Sequence, residues 1–144
     1  ITPPVLTPGL RSNFDFNAAA PAVKIRAAVE AQALALRSHS MWIGSFNTIR
    51  VTGGAAKSPG IRQVLADVFQ ARVERIAVSD SAALGGALLA AHLDNHALDA
   101  LTSRFAPVED VCEPRAAYAA TYAQLLPALR ALEQQAANVA QPPV

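Results

Sequence analysis

One segment of this chain leaves few choices of fold. Thr48-Ile-Arg-Val-Thr52 alternates and is rich in β-branched residues, which reads as a strand. It runs directly into Gly53-Gly54-Ala55-Ala56-Lys57-Ser58, and that run leads into a helix expected from Pro59 to about Phe69, with Ile61, Leu65 and Val68 on one face. Ser58 is a natural N-cap and Pro59 suits a first helical position, where its missing N–H is no loss. A strand that enters a helix through a glycine turn belongs to an α/β layer, in which parallel strands are joined by crossover helices.

The flanking sequence fits that layer. Pro3, Pro4, Pro8 and Gly9 break regular structure, so residues 1–20 read as an extended or looped lead-in. From Pro21 to about Trp42, Ile25, Val29, Ala33 and Leu36 recur at the helical period, and Arg26 and Glu30 stand four apart as a solvated pair. A second strand is expected at Arg72–Ala77. Ser79-Asp80-Ser81 then caps a small-residue helix from about Ala82 to Asp94, where Gly85 and Gly86 would allow close approach to a sheet or ligand. Residues 96–115 are mixed. A last amphipathic helix spans about Ala116–Ala137 with Tyr118, Tyr122, Leu125, Leu129 and Leu132 as its core stripe, Pro127 kinking it, and a frayed tail follows. Two strands make a thin sheet, so further strands are expected upstream of Ile1; the start on Ile and the proline-rich opening suggest a piece of a longer chain.

Composition excludes several function classes. At 144 residues the chain fits one domain, and 52% hydrophobic against 16% charged residues argues for a packed globule. Its net charge is +1, from 12 Lys and Arg against 11 Asp and Glu, which leaves no electrostatic footprint for nucleic acid. The longest apolar stretch, around Ala82–Ala91, is far short of the roughly 20 residues that cross a bilayer, so no membrane partner is expected. With Cys112 alone no internal disulfide can form, and a reducing cytoplasm is the expected compartment. Cys112 reads as a small buried or edge residue, Met41 and Trp42 as packing residues at a helix end. His92 and His96, four apart, read as ordinary histidines, because no Glu or Cys completes a zinc site.

In an α/β layer ligands collect at the carboxyl ends of strands, and a glycine turn entering a helix presents backbone N–H groups and the positive end of the helix dipole to phosphate. On this reasoning Gly53–Ser58 is either an anion or nucleotide cradle or a structural tight turn. A P-loop fingerprint fails because Val51 and Ala56 occupy its glycine positions, and a dinucleotide fingerprint fails because Ala56 and Pro59 follow Gly54.

A wider pattern matches. Ile49-Arg-Val-Thr-Gly-Gly-Ala-Ala-Lys-Ser-Pro-Gly-Ile-Arg-Gln-Val-Leu-Ala-Asp67-Val-Phe, then Val73-Glu74, then Ala82-Ala-Leu-Gly-Gly-Ala-Leu-Leu-Ala90, resembles the C-terminal domain of the FGGY family of carbohydrate kinases, most closely its xylulokinase branch. Arg26-Ala-Ala-Val-Glu30-Ala is similar to the family's Arg-Ala-x-x-Glu-Gly helix, and Glu113-Pro114 with Tyr118 and Tyr122 resembles its C-terminal end; the resemblance spans about residues 1–135. It implies a ribonuclease H-like, actin- and hexokinase-related fold truncated at its N-terminal strands, with residues 1–144 as part of the C-terminal nucleotide-binding domain. By position, Gly53, Gly54 and Ala55 match the turn along the adenosine and α-phosphate, Lys57 and Ser58 edge the adenine pocket, and Gln63 and Asp67 play a structural part. Ala55 departs from a usual third glycine and Ala31 from the glycine after Glu30.

The resemblance also implies transfer of the γ-phosphate of ATP to a sugar hydroxyl, with a ketose such as D-xylulose as acceptor and Mg2+ held mainly by the nucleotide and by residues outside this chain. The family's catalytic aspartate and phosphate loop lie upstream, so neither Asp15 nor Asp67 is assigned as a catalytic residue and the isolated chain is expected to be inactive. The sugar would be held through the other domain, and a homo-oligomer is expected from sheet edges and apolar faces left open. The alternatives are a non-catalytic nucleotide-sensing module and a self-association module of the same fold.

Overall fold

The computed structural model describes residues 14–78 and 80–140, the last four of these by backbone only. Most of the proline-rich lead-in and residues 141–144 of the tail therefore lie outside the described residues. The chain divides into two compact units, Ser45–Ala116 and Ile1–Gly44 with Ala117–Val144, and each is described by itself.

The Ser45–Ala116 unit is built on a sheet in the order β1-β2-β3. β1 (Thr48–Val51) pairs in parallel with β2 (Arg72–Ile76), Thr48 opposite Arg72 and Val51 opposite Arg75. Between them runs α2 (Pro59–Phe69), the crossover helix anticipated from the sequence, opened by Ser58, whose hydroxyl accepts from the Ile61 amide at 3.5 Å. Gln70 closes α2 in the left-handed region at φ 52°, its amide bonded to Ala66 O. α3 (Ser81–Leu93) is capped by Asp80, which accepts from the Ala83 amide at 3.0 Å.

The stretch expected to be mixed holds two elements, α4 (Leu98–Phe105) and β3 (Val108–Cys112), the latter antiparallel to β2 with Val73 opposite Cys112. The sheet therefore has three strands where two were expected. Val64, Ala66, Val68, Ala71 and Val73 form the core, the buried side of α2 and the strand beneath it. Strand flanks carry ion pairs: Arg50 to Glu74, directly opposite on β1 and β2, and Arg75 to Glu109.

The other unit is held by α1 (Pro21–His39) and α5 (Ala119–Ala140), which pack together. α1 stops at His39 rather than running to Trp42, and Met41–Ile43 is a separate 3₁₀ turn in which Trp42 is 85% exposed, so the packing role expected of Trp42 is not made among the described residues. The expected α1 stripe holds at Ala33 and in part at half-buried Val29, but not at its two large ends. Ile25 and Leu36 are 67% and 59% exposed, while Ala33 and Leu34 are buried. From α5, Tyr122 is buried at 2% exposure, and its hydroxyl donates to Glu30 Oε1 at 2.7 Å and accepts from Arg26 Nη2 at 3.0 Å. Arg26 and Glu30 are thus not a free solvated pair but two corners of a triangle closed by a buried phenol, which ties one helix to the other. Burial raises the Tyr122 phenol above its usual range, and its bond to Glu30 acts in the same direction. α5 runs through Pro127, which is exposed.

Candidate nucleotide site at the carboxyl ends of β1 and β2

Because β1 and β2 are parallel, their carboxyl ends lie at the same edge of the sheet, and each is followed by a helix N-terminus. Thr52 Oγ1 donates to Val78 O at 2.8 Å and joins the two ends just before the chain turns into the glycines. The Gly53–Ser58 segment is therefore where ligands collect in open α/β sheets.

Gly53 sits at φ +86°, a conformation that L side chains rarely adopt, so this glycine is required by the backbone itself. Gly54 is different. Its φ of −63° suits any residue and no atom lies within 4 Å of where its Cβ would stand, so the two glycines are not equally demanded by the fold; what a Cβ at Gly54 would fill is open space. Ala55–Lys57 follow as a 3₁₀ turn in which the Lys57 amide donates to Gly54 O and the Ser58 amide to Ala55 O. Together with the Ile61 and Arg62 amides, bonded to Ser58, these donors are spent inside the turn. The amides of Gly54 and Ala55 have no partner among the described residues, and both residues are exposed. Phosphate recognition by this corner would therefore run through exposed amides of the turn, those of Gly54 and Ala55 among them.

Lys57 is exposed and makes no ion pair among the described residues, and Ser58 is half-buried as the cap of α2. Ala56 is buried beneath the turn, and its carbonyl accepts from Arg62 Nη1 at 2.5 Å. Arg62 is itself buried at 5% exposure; its other terminal nitrogen, Nη2, bonds Asp110 on β3, and its Nε has no partner among the described residues. Sequence reading missed Arg62 and Asp110, since an arginine on a helix beside a proline-glycine start carries no signal of burial.

Gln63 and Asp67 take the structural part expected of them. Asp67 is fully buried and accepts from Arg115 N at 2.8 Å, Arg115 Nε at 3.0 Å, Arg115 Nη2 at 2.5 Å and Gln63 Nε2 at 2.9 Å. Burial alone would raise its carboxyl, but these donors outweigh it and hold Asp67 below the usual carboxylate range. Gln63 also receives the Cys112 thiol at 3.1 Å, and burial pushes that thiol up, which disfavours a thiolate nucleophile. Asp15 accepts from the Asn17 and Ala18 amides in a local turn. His92 Nδ1 lies 3.0 Å from His96 O, and no cluster of three or more His, Cys, Asp or Glu able to hold a metal occurs among the described residues. Gly85 and Gly86 have nothing within 4 Å of a Cβ, and no residue of α3 is buried, so the close approach expected there is not made among the described residues.

Known proteins share this fold. The chain is 36% identical over 140 residues to the xylulose kinase of Mus musculus, covering 92% of this chain and 25% of that protein, and 36% identical over 140 residues to the xylulose kinase of Rattus norvegicus. Among solved structures, a xylulose kinase from Rhodospirillum rubrum superposes with a TM-score of 0.71 at 25% identity over 86% of this chain and 26% of that one. A gluconate kinase from Lactobacillus acidophilus superposes at 0.67 with 28% identity over 78% of this chain and 24% of that one. The shared fold is ribonuclease H-like, and the chain spans about a quarter of the length of the curated relatives it matches. Residues 4–93 match the family model for the C-terminal domain of FGGY carbohydrate kinases, and with that match the glycine corner has its context: the chain belongs to the FGGY family of carbohydrate kinases.

Proposed function

We propose that residues 1–144 are part of the C-terminal, nucleotide-binding domain of a longer ATP-dependent sugar kinase, which transfers the γ-phosphate of ATP to a sugar hydroxyl, D-xylulose being the acceptor that the relatives' names favour. The observation that carries this reading is the corner at Gly53–Ala55, with the bare Cα atoms of its two glycines, amides that have no partner among the described residues and its place at the carboxyl end of β1. Gly53, Gly54 and Ala55 would lie along the nucleotide, and Lys57 would supply the one cation of the turn.

These residues do three things. They bring backbone close to an anion, they donate hydrogen bonds to it, and they fix its orientation against the start of α2. Bound magnesium would neutralise phosphate charge, held mainly by the nucleotide and by residues outside this chain, since no group of three or more His, Cys, Asp or Glu stands together among the described residues; no step is assigned through it. No catalytic base is assigned to this chain, so it contributes binding and orientation and, isolated, transfers nothing. A cytoplasmic location goes with this reading, and no helix among the described residues is long and apolar enough to cross a membrane.

Gly54→Val tests the site with little interference from folding, because Gly54 is already in the right-handed region and its Cβ meets nothing. In the full-length protein this substitution is expected to weaken ATP about tenfold, a change of about 1.4 kcal/mol, while the melting temperature stays within a degree or two. Unchanged affinity in an ATP titration removes the nucleotide reading.

Self-association is a second reading, and α3 favours it: thirteen residues rich in Ala and Leu with none buried, Leu89 and Leu93 among the exposed ones. Such a surface pairs with another apolar surface when one is available. Sedimentation of the 144-residue chain at the mass of a dimer or larger supports it, and a monomer at high concentration dismisses it.

A further inference from the structure

We infer that Arg62 is a positioning residue: gripped by Asp110 on β3, its guanidinium holds the Ala56 carbonyl and so fixes the Gly53–Ser58 corner in the form that receives a nucleotide. This rests on the nucleotide reading of that corner given above. A buried guanidinium is costly unless its charge is compensated and its N–H groups are bonded. A single carboxylate would have answered the charge, and Asp110 supplies it. The other terminal nitrogen reaches in a different direction, to a buried backbone carbonyl in the middle of the 3₁₀ turn at 2.5 Å.

The position of that carbonyl matters because of what the same turn presents. Ala56 stands between Ala55, whose amide is uncommitted, and Lys57, whose amide closes the turn on Gly54 O. Displacing the Ala56 peptide rotates its neighbours, and with them the Gly54 and Ala55 amides that would face the nucleotide. The arm therefore runs from β3 through α2 into the corner, coupling the far strand of the sheet to the Gly54 and Ala55 amides. A charge-assisted bond to a buried carbonyl is stronger than the neutral 3₁₀ bonds around it, so it is the Arg62 contact that decides the shape of the turn.

The experiment is done on the full-length protein with four variants: Arg62→Gln, Arg62→Lys, Asp110→Asn and, as the control for the corner itself, Gly54→Val. ATP is titrated calorimetrically and each variant is melted without nucleotide; amide hydrogen exchange is followed at Lys57 and Ser58. Arg62→Gln is expected to weaken ATP about tenfold and to speed exchange at Lys57 and Ser58, with exchange across the β1-β2 ladder unchanged. Arg62→Lys, which keeps the charge, is expected to recover part of the affinity. Asp110→Asn leaves the arginine in place and serves if Arg62→Gln does not fold; it is expected to weaken ATP about threefold.

Wild-type affinity in Arg62→Gln, or in Asp110→Asn where Arg62→Gln is unfolded, overturns the role of Arg62. If Gly54→Val nevertheless weakens ATP, the corner remains the nucleotide site and only the arm is lost. If Gly54→Val also binds as wild type, the nucleotide reading falls and takes the inference with it.

Discussion

Replacing Arg115 with alanine is expected to lower the stability of the Ser45–Ala116 unit by about 3 kcal/mol, read as a fall in the urea midpoint with the slope unchanged. Asp67 has no exposed surface, and Arg115 supplies three of its four donors, two of them charged. Truncation removes the guanidinium and leaves a buried carboxylate to the Arg115 amide and Gln63. Breaking a buried pair from one side costs about 3–5 kcal/mol, and the two neutral donors that remain place this case at the lower end. The pair Arg50–Glu74 is the contrast: Arg50→Ala is worth under about 1 kcal/mol, because Arg50 is exposed and Glu74 keeps a second cation, Arg72, at 3.2 Å. Equal effects of the two substitutions would mean that Asp67 is not the anchor proposed.

The pH dependence follows from the direction of the Asp67 shift. Its folded carboxyl lies below the unfolded value of about 3.9, so its stabilisation is fully present above that value and is lost as pH falls through the folded value. The wild-type protein should therefore keep this contribution down to about pH 4. The deficit of Arg115→Ala should shrink as Asp67 protonates, since a neutral carboxyl has no use for the cation. A deficit that is constant from pH 7 to pH 3 would assign the loss to packing of the arginine stem instead.

What the sequence disclosed, it disclosed through local chemistry. Ser58-Pro59 and Asp80 set helix starts by capping and ring geometry that need no tertiary partner, and both are found where the residues place them. β1 was legible because Thr48, Ile49 and Val51 are β-branched, and the Gly53 corner because a positive φ demands glycine. β3 was not, since Val108-Glu-Asp-Val-Cys112 has four of five residues exposed and is held by backbone pairing to β2 and by Arg75–Glu109. Its hydrophobic pattern carries no strand signal because little of it is buried.

Buried charges were hidden for the opposite reason. Arg62 and Asp67 have the composition of surface residues, and only their partners on β3 and at Arg115, 48 residues away along the chain, account for their burial. The face of α1 is set by α5, whose Tyr122 makes Glu30 and Arg26 part of a contact while Ile25 and Leu36 stay outside. α3 is apolar on all sides, so periodicity offers no face to choose.

The second large effect is expected at Gly53, and its form distinguishes backbone strain from collision. Nothing lies within 4 Å of a Cβ at this position, so a side chain meets no neighbour; the cost is torsional, at φ +86°. A non-glycine residue in the left-handed region costs roughly 1–2 kcal/mol, asparagine less and a β-branched residue most. Valine would relieve that strain by turning φ negative, which turns the following peptides and displaces the Gly54 and Ala55 amides from their native positions. ATP affinity of the full-length protein is therefore expected to fall about 100-fold in Gly53→Val, or about 2.7 kcal/mol, with the order Gly, Asn, Ala, Val from tightest to weakest. A series ordered by side-chain volume, with asparagine as poor as valine, would point to occlusion by the side chain. Loss of stability with ATP affinity intact across the series would leave Gly53 a turn residue and nothing more.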